Sequence, residues 1–180
     1  MKKILAFGAS TSSASINRKL AVHAAGQVPD AAVTDLDLRR FELPIYSADE
    51  EEKNGVPAAA QEFLDLIRAH DGIVLSMAEH NGSYTAAFKN LYDWTSRLEQ
   101  KVWSGKPMLL LATSPGARGG LTVLEAAKAT FPRMGANLIE AFSLPSFYEN
   151  FDEAEGVKLA DLRVALDAAI ARFAASVAEV

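Results

Sequence analysis

The chain has 180 residues, of which 49% are hydrophobic, and it contains no cysteine. Its 18 basic and 23 acidic side chains give a formal net charge of −5, without a basic cluster. This composition is typical of one globular domain and excludes disulfide scaffolds, cysteine nucleophiles and cysteine-ligated metals. Without clustered positive charge or about 20 consecutive apolar residues, neither nucleic acid nor a membrane is an expected partner. We therefore expect a single cytoplasmic domain over residues 1–180, with no metal site.

Short apolar runs alternate with helical patterns along the chain. The apolar runs predict five strands, at residues 3–7, 32–38, 72–77, 107–112 and 137–142. Asp35 and Asp37 lie on one side of the second run, as in an exposed edge strand. Helices are predicted from Ile16 to Gly26, after Pro57, from about Tyr84 to Leu98, from about Leu121 to Met134, and over the stripe 159–177.

Strands that each precede a helix indicate a parallel sheet covered on both faces, because right-handed crossovers place the helices there. The predicted fold is therefore a doubly wound α/β domain. The sequence also predicts the end of the first helix and the conformation of the acidic run. Gly26 should end the first helix in the left-handed conformation, and the acidic run 49–52 should be a solvated loop.

The loop after the first strand is rich in hydroxyl groups. Five of them precede the first helix, on Ser10, Thr11, Ser12, Ser13 and Ser15. The helix dipole and the free backbone N–H groups favour an anion at this place. Ser15 alone could serve only as an N-cap, but one cap does not require five hydroxyls, so we interpret the loop as a phosphate site. Neither G-x-x-x-x-G-K-[ST] nor G-x-G-x-x-G is present, which favours a phosphomonoester.

Two further loops follow the third and fourth strands, at residues 78–83 and 113–120. Open α/β sheets bind ligands at the carboxyl ends of their strands, so the three loops should form one site. The glycines of the last loop would let the backbone approach a ligand closely. Arg118 would either offset negative charge on a bound ligand or be solvated, and His80 is more simply a solvated or packing residue than a catalyst.

These segments resemble those of the NADPH-dependent FMN reductase family. Ser10, Ser15 and Asn17 stand at the serine, serine and asparagine positions of its phosphate motif, G-S-x-R-x-x-S-x-N, and Ser12 stands at the arginine position. The loop 78–83 and the helix that follows are similar to the segments P-E-Y-N-[GS]-S and K-N-x-x-D-W, with Ala and His in place of Pro and Tyr. The loop 113–120 is similar to the Gly-rich loop that closes over the flavin ring.

The resemblance implies a flavodoxin-like sheet of five parallel strands in the order 2-1-3-4-5, with helices on both faces. It implies FMN as cofactor and NADPH or NADH as hydride donor, with a quinone, an azo compound, a metal oxyanion or free flavin as the small-molecule electron acceptor. No side chain is singled out as catalytic, because the cofactor carries the chemistry. The cofactor-binding residues that it implies are Ser10, Ser12, Ser15, Ile16, Asn17, Glu79, His80, Asn81, Gly82, Ser83, Ser114, Gly116, Arg118, Gly119 and Gly120.

The helix 84–98 has an apolar face that spreads over about 160°, wider than packing on one sheet requires. Its residues are Phe88, Leu91, Tyr92, Trp94, Thr95 and Leu98. The face is either a deep core contact or an oligomer interface, and the resemblance implies a homodimer or homotetramer.

Two other functions stay open. A flavodoxin-like electron carrier would bind FMN without using NAD(P)H, although such carriers usually have a stronger negative charge. A serine hydrolase or phosphate-ester enzyme would combine the serine cluster with His23, His70 or His80. The absence of G-x-S-x-G argues against this last alternative.

Overall fold

The computed structural model describes the whole chain, Met1–Val180. Five strands form one parallel sheet. They are β1 (Lys2–Gly8), β2 (Ala31–Asp35), β3 (Gly72–Met77), β4 (Pro107–Thr113) and β5 (Asn137–Leu144). The spatial order is β2-β1-β3-β4-β5, which is the order that the family resemblance implies. The chain reverses direction across the sheet between β1 and β3, so the carboxyl ends of these two strands flank the switch point where ligands bind.

Seven helices accompany the sheet. They are α1 (Ile16–Gly26), α2 (Ala48–Asn54), α3 (Ala58–Ala69), α4 (Ala86–Leu98), α5 (Leu121–Thr130), α6 (Phe147–Asn150) and α7 (Ala160–Ala178). Helices α1 and α7 pack on one face of the sheet, and α3, α4 and α5 pack on the other. Neighbouring residues of β1 alternate between the two cores: Ile4 and Ala6 contact the first layer, and Leu5 and Phe7 the second. No helix combines the length and the apolar composition that crossing a bilayer requires.

The second strand is shorter than the predicted run 32–38. It ends at Asp35, because the Asp37 carboxylate accepts a hydrogen bond from Arg39 N (3.0 Å) and caps a 3₁₀ turn over Leu38–Arg40. The predicted edge position is confirmed, since β2 pairs only with β1 and the residues 32–35 are exposed.

The acidic run 49–52 is helical, so the predicted solvated loop is wrong. Ser47 Oγ accepts a hydrogen bond from Glu50 N (3.0 Å) and caps α2, whose first turn then carries three carboxylates. Acidic side chains are stabilising there because they complement the positive end of the helix dipole.

The glycines at the end of α1 and after α5 differ in backbone conformation. Gly26 is the last residue of α1 and has no positive φ; the following Gln27 continues in the right-handed conformation, and its N–H donates to Ala24 O (3.2 Å). The left-handed conformation expected at Gly26 is therefore wrong. Gly135 does take a positive φ of 88°, after α5 has tightened into a 3₁₀ turn over Phe131–Met134.

The broad apolar face of α4 is covered within the chain, except at Leu98, which is exposed. Phe88, Leu91 and Tyr92 belong to the core between α3, α4 and α5. Trp94 is fully buried: its Nε1 donates to Pro44 O (2.8 Å), and the ring of Tyr46 packs edge-on against it at 4.9 Å. Deep core contacts therefore account for the width of this apolar face. The width does not by itself indicate an interface between subunits.

Candidate functional site

A cleft of about 190 Å³ lies at the carboxyl ends of β1, β3 and β4. The loops that follow these three strands converge on it, as the sequence predicted. Eight of the fifteen predicted site residues line it, namely Ser10, Ser12, Ser15, Ile16, Asn17, Glu79, His80 and Ser114. No group of three or more His, Asp or Glu side chains is placed to hold a metal ion.

A close approach of β1 and α1 brings the helix N-terminus into the cleft. A side-chain carbon at Gly8 would lie 2.8 Å from the carbonyl carbon of Asn17 and 2.9 Å from Arg18 Cα. These are backbone atoms that cannot move aside, so only glycine lets the first turn of α1 cross directly over the end of the strand.

Ser15 is the N-cap of α1, and its Oγ accepts a hydrogen bond from Arg18 N (3.1 Å). The loop is further ordered by Ser12 N, which donates to Ser10 Oγ (3.1 Å). The N–H groups of Ile16 and Asn17 are not used by any acceptor of the chain. The capping interpretation is thus confirmed, and it still leaves two N–H groups of a helix terminus and several hydroxyls for an anion.

The Asn17 side chain is buried and points into the protein. Its Oδ1 accepts hydrogen bonds from Ser76 Oγ (2.7 Å) and Thr113 N (3.0 Å), and its Nδ2 donates to Thr113 O (3.1 Å). It therefore joins α1 to the ends of β3 and β4. Three of the four hydrogen-bonding positions of the amide are used inside the protein, so a contribution of Asn17 to anion binding falls mainly to its backbone N–H.

No lysine or arginine lines the cleft. Arg18, adjacent to the loop, donates to Asp35 (2.7 Å) and to Asp37 (2.8 Å) on the edge of the sheet. Hydrogen bonds from Arg39, together with the positive charges of Arg39 and Arg18, hold the pKa of Asp37 well below its ordinary value. An anion in the cleft would therefore be bound by neutral donors and by the helix dipole.

The loop after β3 is a tight hairpin. Glu79 and His80 pair with Tyr84 and Ser83, and the turn between them has positive φ at Asn81 (52°) and Gly82 (74°). Asn-Gly is the preferred dipeptide for such a turn, a signal that the sequence prediction of a plain loop did not use. Only the first two residues of the hairpin reach the cleft.

The carboxylate of Glu79 caps another helix. Its Oε2 accepts a hydrogen bond from Val123 N (2.8 Å), in the first turn of α5, where the N-cap residue Gly120 has no side chain to do so. This contact fixes the hairpin to α5. The part of Glu79 that is available to a ligand is therefore its backbone.

The glycines of the third loop also have roles within the fold. A side-chain carbon at Gly119 would lie 2.9 Å from the carbonyl group of Leu144, so the close approach of this loop to β5 requires glycine. Gly120, the N-cap of α5, has a φ of 71°, a left-handed conformation that glycine adopts easily because it has no Cβ. Arg118 is exposed and donates to Thr122 Oγ1 (2.9 Å). The predicted residues that do not line the cleft are Asn81, Gly82, Ser83, Gly116, Arg118, Gly119 and Gly120.

The sequence prediction missed Tyr148, which lines the cleft from α6 and is 69% exposed. Its helix follows β5, and the carboxyl end of β5 lies at the same edge of the sheet as those of β3 and β4. The rule that places ligands at this edge could therefore have included it. No periodic pattern in the sequence indicated Tyr148 as a residue of the cleft.

The family model described as NADPH-dependent FMN reductase matches residues 2–149. A quinone reductase of Escherichia coli K12 is 38% identical over 79 residues, which are 44% of this chain and 42% of the relative. An NAD(P)H-dependent FMN reductase of Pseudomonas aeruginosa is 34% identical over 118 residues, which are 65% of this chain and 62% of the relative. The matches thus span less than two thirds of each relative's length.

Solved structures resemble the whole chain. The flavoenzyme NAD(P)H:(acceptor) oxidoreductase FerB from Paracoccus denitrificans has a TM-score of 0.75 at 22% identity, over 99% of this chain and 98% of that one. The apo form of an NADH:FMN oxidoreductase has a TM-score of 0.72 at 26% identity, over 98% of this chain and 90% of that one. A flavodoxin mutant from Pseudomonas aeruginosa, at 16% identity and a TM-score of 0.54 over 98% and 99%, shares the fold.

Proposed function

The chain belongs to the NADPH-dependent FMN reductase family, and we propose that it binds FMN in the cleft and transfers a hydride from NADPH or NADH to a small-molecule acceptor. The observation that carries this proposal is the free N-terminus of α1, whose Ile16 and Asn17 N–H groups line a cleft made by three ligand-binding loops. Such a terminus is suited to a phosphomonoester, which FMN has and riboflavin lacks.

The residues present fit this cofactor. Backbone N–H groups of Ile16 and Asn17 and the hydroxyls of Ser10, Ser12 and Ser15 would hold the phosphate. Backbone groups of the hairpin 79–84 and the loop 113–120 would hold the pyrimidine edge and the ring. The ring would extend out of the cleft to reach the remaining predicted residues, Asn81, Gly82, Ser83, Gly116, Arg118, Gly119 and Gly120. When bound, FMN supplies the redox chemistry, by taking up a hydride and giving it to the acceptor. The chain's own contribution is to bind and orient.

A quinone or an azo compound is the acceptor class that the relatives favour. One relative is the quinone reductase given above, and another is an NADPH azoreductase of Bacillus sp., 33% identical over 103 residues. A metal oxyanion and free flavin are further acceptors to be compared.

The cofactor is tested by fluorescence titration with FMN, FAD and riboflavin. We expect FMN to bind most tightly, because only its terminal phosphate matches the free N–H groups. Equal affinity for riboflavin would contradict a phosphate site at the first loop.

The reaction is tested by steady-state kinetics with NADPH or NADH and a quinone. Parallel double-reciprocal lines are expected, because donor and acceptor use the same cofactor in turn. Intersecting lines would contradict this order. FMN binding without NAD(P)H oxidation would instead identify the alternative, an FMN electron carrier.

A homodimer or homotetramer and a cytoplasmic location complete the proposal. The covered face of α4 no longer argues for an interface, so the oligomer rests on the family alone. Light scattering at micromolar concentration measures the mass directly, and a value near 19.3 kDa would contradict an oligomer.

A further inference from the structure

Tyr148 is the one phenol in the cleft, and it comes from outside the three loops discussed so far. The hydroxyls of Tyr46 and Tyr84 are engaged with Glu51 and Thr130, whereas the hydroxyl of Tyr148 makes no hydrogen bond within the chain. With 69% of the residue exposed, this side chain presents an unused donor to whatever occupies the cleft.

The segment that carries Tyr148 is held firmly. Ser146 N donates to Gly116 O (2.9 Å) and Phe147 N donates to Ser114 O (3.0 Å), so the segment is attached to the loop after β4. Phe147 is buried and stacks on Phe151 at 4.8 Å. Ser146 has a φ of 47°, a left-handed conformation that is unfavourable for serine. These contacts fix the backbone that carries the exposed Tyr148 ring beside the cleft.

The charge of the cleft makes an additional donor useful. Ser12 stands where the family motif has arginine, and Arg18 is already paired with Asp35 and Asp37. The neighbouring Lys19 is paired with Glu153. A phosphate dianion in the cleft would therefore depend on neutral N–H and O–H donors.

We propose that Tyr148 is a phosphate-binding residue, whose phenol hydroxyl donates a hydrogen bond to the phosphate of FMN and partly replaces the absent arginine. A hydrogen bond from a hydroxyl to an ionised oxygen is about twice as strong as one between neutral groups. This inference rests on the proposed function, because it requires FMN in the cleft.

The first test compares FMN and riboflavin binding to the wild type and to Tyr148→Phe. The substitution keeps the ring and removes only the hydroxyl, so FMN affinity should fall about tenfold while riboflavin affinity stays unchanged. Tyr46→Phe is the matched control, since its phenol lies away from the cleft, and it should bind both flavins as the wild type does. Unchanged FMN affinity in Tyr148→Phe, or an equal loss for riboflavin, would overturn the inference.

The second test is a double-mutant cycle with Ser12→Arg. If the phenol stands in for a cation, Tyr148→Phe should cost less FMN affinity when position 12 carries arginine, about threefold instead of about tenfold. The same loss in both backgrounds would refute the idea of replacement.

The two proposals fail differently. A wild type that binds FMN no more tightly than riboflavin would contradict both. If the wild type prefers FMN to riboflavin but Tyr148→Phe binds FMN as tightly as the wild type does, only the role of Tyr148 is contradicted. Because Tyr148 is exposed, its variants should fold, and thermal melting of Tyr148→Phe checks this.

Discussion

Ser15 links the stability of α1 to ligand binding, because one hydroxyl group can serve both. Its Oγ accepts the capping hydrogen bond from Arg18 N, and its own hydrogen stays free to donate into the cleft. We expect Ser15→Ala to lower the free energy of unfolding by about 1 kcal/mol. We also expect FMN affinity of the folded protein to fall about ten- to hundredfold, because a charge-assisted hydrogen bond is lost.

Urea denaturation and FMN titration measure the two effects of Ser15→Ala separately. Ser47→Ala is the matched control, since Ser47 caps α2 in the same way and lies outside the cleft. It should lower stability similarly and leave FMN binding unchanged. Unaltered FMN affinity in Ser15→Ala would show that the residue is only a cap.

We expect the side chain of Asn17 to contribute mainly to the stability of the fold. Asn17→Ala would leave the buried Ser76 hydroxyl and the N–H and C=O of Thr113 without their partner. Buried polar groups without hydrogen bonds are costly, so the free energy of unfolding should fall by about 3 kcal/mol. Urea denaturation checks this, with the exposed Asn54→Ala as control. A loss below about 1 kcal/mol would show that water or a shifted neighbour replaces the amide.

The local sequence predicted the capping role of Ser15, but not the direction of the Asn17 side chain. A cap depends on residues three positions away, whereas the partners of Asn17 lie 59 and 96 positions later. Contacts over such distances follow from the packing of the sheet, and no spacing in the sequence encodes them. The same reason explains why the packing of Gly119 against β5 was not predicted.

The position of helix α1 over the end of β1 requires glycine at position 8. Gly8→Ala should lower the free energy of unfolding by about 3 kcal/mol or more, because the added carbon overlaps the backbone of Asn17 and Arg18. Gly26→Ala, at the other end of the helix, meets nothing within 4 Å and should raise it by about 0.5 kcal/mol. Thermal or urea denaturation of both variants measures the contrast. Similar effects at the two glycines would contradict the close approach at Gly8.

The sequence predicted a parallel sheet because its strands are followed by amphipathic helices, and the strand order followed from the family resemblance. The errors lie where a side-chain cap starts a short element. Ser47 and Glu50 have the spacing of a capping box, S-x-x-E, so α2 could have been recognised. The end of β2 could not have been recognised from the sequence in this way. The alternation of polar and apolar residues continues past Asp35, although the strand ends there and the backbone turns.

The stability of the whole molecule should fall in acid partly through Asp37. Its pKa in the folded state lies below the ordinary value of 3.8, so the carboxylate stabilises the fold above that value and loses this effect as pH falls through the folded pKa. Asp37→Asn should therefore be less stable than the wild type at pH 7, and the difference should shrink below about pH 4. Urea denaturation from pH 7 to pH 2 measures this.

Asp65→Asn is the control for Asp37→Asn, because Asp65 is exposed on α3 and forms no ion pair. The free energy of unfolding of Asp65→Asn should equal that of the wild type throughout the pH range. A difference between Asp37→Asn and the wild type that stays constant down to pH 2 would contradict the role of the ionised carboxylate between Arg18 and Arg39.

The three hydrogen bonds of the Asn17 amide also bear on when the cleft arises during synthesis. A nascent chain that stops before Thr113 already contains every hydroxyl of the first loop, but it lacks the backbone groups that hold the amide. Closing so long a loop is entropically unfavourable until β3 and β4 have paired. We therefore expect cofactor uptake to follow the assembly of the central strands, so that half-made chains on the ribosome would not sequester FMN.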